Sequence, residues 1–150
     1  MKKAIAFILV ISLLLMPSCR SKADACEVIR AFCEAYQLDA GVYSSLATEA
    51  EEEYISSEMI YKLYGTEKLP SREFAVALYG KVDTVREVGV FVTSSGDERL
   101  ELTELIKNRL DFLSSFADGD GFVKNYHGTL VYAFVEDSVR AERVFDSILK

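Results

Sequence analysis

Histidine is nearly absent from this chain: His127, in "NYHG", is the only one in 150 residues. Any histidine-dependent nucleophile or metal centre would have to use it, and a turn or strand-edge position is the preferred reading, which leaves His127 a weak site candidate. No G-x-S-x-G elbow surrounds a serine, and Cys33 has no catalytic signature beside it. A glycine-rich phosphate loop is missing as well. Basic residues are outnumbered, 17 against 24 acidic, for a net charge of −7. So acidic a chain is repelled by phosphate backbones, which argues against a nucleic-acid partner. Finally, no apolar run reaches the roughly 20 residues that a spanning helix needs.

What is present begins with a leader. Lys2 and Lys3 precede the apolar run Ala4 to Met16, and Pro17 and Ser18 end it. This is the pattern of a signal peptide. Two processing sites compete. "LMPSC" resembles the lipobox of bacterial lipoproteins, in which the cysteine, here Cys19, is diacylated and becomes the new N-terminus. "ADA" at Ala23 to Ala25 is a small-x-small alternative that would release a soluble protein starting at Cys26. The lipoprotein reading is preferred; it divides the chain into signal peptide 1–18, polar tether 19–23 and one domain over 24–150. Losing residues 1–18 leaves 132 residues with 15 basic and 24 acidic side chains, a net −9. That length suffices for one domain with a real core.

Cys26 and Cys33 remain once Cys19 is assigned to lipid. Ala25, Val28, Ile29, Phe32 and Tyr36 recur at helical spacing. Seven residues along a helix separate two Cα atoms by about 10.5 Å, beyond the reach of a disulfide. The preferred reading is a helix with two unbridged thiols; the alternative is an irregular segment closed by a bridge. A metal site at these thiols lacks further ligands. "EAEEE" at Glu49 to Glu53 reads as a solvated helix face before a cation-attracting patch.

Along the rest of the chain, "QLDAGVYSS" reads as a turn region and 44–54 as helical or irregular. Ser56 or Ser57 is placed to cap a helix through Tyr64, with Gly65 ending it. "EFAVALYG", "EVGVFVTSSG" and "GTLVYAFV" read as strands, the first two joined as an antiparallel hairpin. All three are apolar on both faces, which predicts a sheet covered on both sides or packed tightly through small residues. Glu98 to Phe116 predicts a helix with Leu102, Leu105, Ile106, Leu113 and Phe116 in one stripe. A last helix from Asp137 or Ser138 buries Ala141, Val144, Phe145, Ile148 and Leu149. The expected fold class is α+β: a small mixed or antiparallel sheet of about three strands packed by helices.

Arg109 is the most conspicuous residue. At 100° per residue it falls inside the apolar stripe of its helix, beside Phe112, where an uncompensated cation is expensive. Glu87 is the first candidate for a buried ion pair, since a guanidinium can take a carboxylate with two parallel hydrogen bonds. The alternative is a pocket in which Arg109 binds an anionic ligand. "DGDG" at Asp118 to Gly121 fits no register of a twelve-position calcium loop and reads as a tight turn. Neither a metal nor a cofactor is expected.

From about Tyr61 to Leu149, "YKLYG", "REVGVFV", "IKNRL", "NYHG", "VYAFV" and "SVRAERVF" follow one another in order. This succession resembles a family of small uncharacterised bacterial lipoproteins, mostly from Gram-positive anaerobes, defined by a domain of unknown function. The resemblance implies an exported, lipid-tethered domain and no particular activity. The expected function is a non-enzymatic binding or interaction domain on the outer side of the cell membrane, held there by Cys19, with a protein, peptide or envelope component as partner. The competing expectation is an envelope-associated hydrolase whose site carries no recognisable motif.

Overall fold

The structure, a computed structural model, describes residues 24–81 and 84–150. The signal-peptide and tether readings, with Cys19, fall outside the described residues. Among those residues the order is α1 (Ala25–Tyr36), β1 (Gly41–Ser44), α2 (Ser57–Tyr64), β2 (Glu73–Lys81), β3 (Thr84–Val92), α3 (Gly96–Ser114), β4 (Asp120–Tyr126), β5 (Thr129–Val135) and α4 (Ser138–Leu149). The strands form one sheet in the order β1-β2-β3-β5-β4, every pair antiparallel. The fold is α+β as expected, but the sheet has five strands where about three were predicted.

The two unpredicted strands are the edges. β1 has only four residues and lies in a segment rich in turn formers. β4, "DGFVKNY", begins inside the "DGDG" stretch and carries only a short apolar pair, Phe122 and Val123, among polar residues and glycine. Phe122 packs toward one face and Val123 toward the other, so neither face carries a continuous apolar run.

Local signals set the helix ends. Asp24 caps α1 by accepting from the Glu27 amide, and Ser56 caps α2 by accepting from that of Met59. Gly65 closes α2 at φ 73°, a left-handed conformation that glycine adopts without a Cβ penalty. Ser95 caps α3 through the Glu98 amide, and the Glu98 carboxylate returns to accept from Ser94 N at 2.6 Å. α3 ends at Ser114, so Phe116 lies past the helix and off its stripe, 57% exposed. Phe112, on the other flank of the stripe, is equally exposed.

Alternation along the strands divides the core in two. Ala75, Ala77, Val88, Val90, Val131 and Ala133 face α1 and α4, where Phe32 stacks on Phe145 with centroids 4.4 Å apart. Val76, Phe91, Leu130 and Tyr132 face α2 and α3, against Ile60, Tyr64, Leu102 and Ile106. The sheet is therefore covered on both sides, which is why its central strands read as unbroken apolar runs. Each fully buried Phe or Ile contributes roughly 1.5–3 kcal/mol to this arrangement.

Candidate functional site: a buried carboxylate and an open trough

Glu87 lies in the middle of β3 and is 1% exposed. On the same face, two residues along, is Gly89, whose register partner on β5 is Tyr132. A Cβ at Gly89 would stand 2.2 Å from Tyr132 Cε1, so the tyrosine ring lies across the glycine. From there its hydroxyl donates to Glu87 Oε1 at 2.5 Å. The Tyr64 hydroxyl, from α2, is 2.7 Å from that of Tyr132. Because a phenol has one proton and that of Tyr132 goes to the carboxylate, Tyr64 is the donor in the tyrosine pair.

Arg109 completes the network from α3. Its Nε donates to Glu87 Oε1 at 3.0 Å and Oε2 at 3.2 Å, and its Nη2 to Oε2 at 2.6 Å. The structure thus brings together the two residues that the sequence paired. With the Arg109 side chain 11% exposed, the pair meets the condition under which a buried ion pair is tolerated: two-pronged geometry plus a further donor on the carboxylate. Burial works against the Arg109 charge, but the hydrogen bonds and opposite charge of Glu87 outweigh it and hold its pKa above the ordinary value. Burial, then the negative charge of Glu87, pushes the Tyr64 and Tyr132 hydroxyls well above the usual phenol range. A cleft of about 180 Å³ between α2 and α3 reaches Tyr64, Arg109 and Phe112 from outside, with the guanidinium 5.5 Å from the Phe112 ring centroid. Glu87 sits behind the arginine and does not line this cleft.

His127 is elsewhere. With φ 49° it forms, with Gly128 at φ 92°, the two-residue turn between β4 and β5. That turn lies at the end of the sheet where Val92 pairs with Thr129, five register steps from the Glu87–Phe134 pair, or about 17 Å along the strand. Cys26 and Cys33 are unbridged and part-buried on α1. Burial raises both thiol pKa values, that of Cys33 to about 11. Among the described residues no three metal-ligating side chains assemble into a site.

Arg86 is a second buried charge that no motif in the sequence marks. Adjacent to Glu87 on β3, it points to the opposite face and is also buried, its side chain 9% exposed. Its Nη1 donates to the carbonyls of Val85 at 2.7 Å and Asp118 at 2.8 Å, and its Nη2 to the Glu136 carboxylate. The available signal was the Arg-Glu dyad itself: in a strand covered on both faces, adjacent charges must each find a partner on a different side. Two surface cavities, of about 430 Å³ and 360 Å³, meet at Thr84, Arg86 and Glu136 and form one trough. Its other wall is the end of α1 and the start of α4. There Arg140 lies 4.5 Å from the Tyr36 ring centroid and donates to the Tyr36 carbonyl at 3.1 Å.

No known protein family, curated protein or solved structure matches the chain.

Proposed function

We propose that the protein is an exported lipoprotein, anchored through Cys19 on the outer face of the cytoplasmic membrane, whose domain works by binding a partner without chemical turnover. The observation that carries the binding half is a contrast between two polar sites. Glu87, Arg109, Tyr132 and Tyr64 spend their hydrogen bonds on one another behind a small cleft. The trough, by comparison, presents charged groups of both signs to solvent. Small-molecule sites are concave and carry a few convergent polar groups.

The anchor half draws on "LMPSC" and on the start of α1. Cleavage after Ala25 would remove both the Asp24 cap and Ala25, which is 1% exposed, whereas processing at Cys19 leaves the helix whole. Loss of such a cap costs about 1 kcal/mol. Two acyl chains hold a protein on a bilayer where one does so only marginally.

Intact mass of the membrane-extracted protein tests processing, with a diacylglyceryl adduct on a chain starting at Cys19 as the expected species. Cys19→Ala should move the protein out of the membrane fraction; equal membrane retention of variant and parent would end the anchor reading. Conversion of a bound molecule into product by the purified protein would replace the binding reading with the hydrolase.

A further inference from the structure

The charges that line the trough do not neutralise one another. Asp39 has no described cation within ion-pair distance, and Arg140 no described carboxylate. Arg86 is the exception, and an instructive one. Its buried guanidinium needs compensation, yet the carboxylate that supplies it belongs to Glu136, whose side chain is 77% exposed. A carboxylate already largely in water gives up only this one ion pair by leaving, and an external carboxylate can replace it on the same guanidinium.

The mixture of signs narrows the ligand. A plain anion entering the trough meets Asp39, Glu136 and Asp137; a plain cation meets Arg86 and Arg140. A molecule with one charge of each sign finds both complemented. The rings of Tyr36 and Tyr79 supply apolar wall, and about 430 Å³ lies within the roughly 300–1,000 Å³ of small-ligand sites.

We infer that the trough binds a zwitterion of the amino-acid type, its carboxylate on Arg86 in place of Glu136 and its ammonium on Asp39. This rests on the binding-domain reading above and names the ligand class that the reading leaves open. The ligand is a free amino acid or a short peptide; both carry the same two charges.

The full-length protein in detergent, titrated calorimetrically with the common amino acids and with their alanyl dipeptides, tests the inference. At least one zwitterion should bind, and its N-acetyl and carboxamide derivatives, each missing one charge, should bind about tenfold or more weakly. Tighter binding by the free amino acids or by the dipeptides identifies the source. Asp39→Asn, an exposed change, should weaken binding about tenfold without moving Tm. Glu136→Gln should tighten it severalfold by weakening the internal competitor. The inference is overturned if no zwitterion binds, if the capped derivatives match their parents, or if Asp39→Asn binds as tightly as wild type. Failure of the broader reading looks different: a zwitterion that binds but is consumed, or a Cys19→Ala protein that stays with the membrane.

Discussion

Arg86 and Glu87 are consecutive residues of β3 that carry opposite charges to opposite faces of one sheet, and neither pairs with the other. Glu87 is compensated from within by Arg109 of α3 and Tyr132 of β5. Arg86 is compensated from the rim by Glu136 and two backbone carbonyls. The first arrangement resembles a structural core device; the second leaves a buried cation beside open solvent.

The Glu87–Arg109 pair should show the asymmetry of buried ion pairs. Arg109→Leu leaves a carboxylate behind without its cation and is expected to cost about 3–5 kcal/mol in urea denaturation. The double variant Glu87→Gln, Arg109→Leu should recover a large part of that loss, because no unpaired charge remains. Equal losses in the single and double variants would mean that packing, and not charge, dominates at this site.

Gly89 should tolerate no side chain while Tyr132 lies across it. Gly89→Ala puts a Cβ 2.2 Å from the ring and is expected to destabilise by about 1–3 kcal/mol or more. Tyr132→Phe keeps the ring but removes the donor to Glu87, at a cost of about 1–3 kcal/mol. A Gly89→Ala protein with unchanged denaturation midpoint would show that the ring has another place to go.

Alkaline pH should unfold the domain through its tyrosines. Burial raises the pKa of Tyr64 and Tyr132 well above 10, and burial followed by the Asp146 hydrogen bond brings Tyr126 up to about 12. A raised folded-state pKa means stability that is complete below the unfolded value near 10 and lost as pH climbs through the folded values. Phenolate absorbance should therefore show a late group, including Tyr64 and Tyr132, that appears only with the loss of circular dichroism. Ionisation of all eight tyrosines while the fold persists would contradict the buried network.

Acid should act through Asp146. Hydrogen bonds from Lys150, then Tyr126 and Lys124, hold its carboxyl well below the usual carboxylate range. A depressed pKa contributes stability that is present above the unfolded value near 4 and lost as pH falls toward the folded one. Asp146→Asn should flatten the stability profile below about pH 4 and leave it parallel to wild type at neutral pH. An unchanged acid limb would place the acid sensitivity elsewhere.

Much of this was legible along the chain where the signal is local. Ser56, Gly65 and Asp137 mark helix ends by their own chemistry, and the stripe Leu102, Ile106, Leu113 exposes Arg109 as an intruder. Glu87 could be paired with it because an acid inside "REVGVFV" must also find a partner. Tyr64 and Tyr132 were not legible as members of the network: in sequence they are ordinary core aromatics, and only the register across Gly89 aims one hydroxyl at Glu87. β4 escaped notice for a related reason. Lys124 looks like a loop residue until α4 supplies Glu142 at 2.6 Å and Asp146 at 3.0 Å from its Nζ.

α1 also has a directional meaning. Its first residue, Ala25, is pinned to the head of β2 by a hydrogen bond to Glu73, and its last turn, at Tyr36, forms the trough wall. Eleven helical steps put about 16.5 Å between those points. Under the anchoring at Cys19 proposed above, α1 would serve as a mast, with the lipid nearer its foot and the opening at its far end.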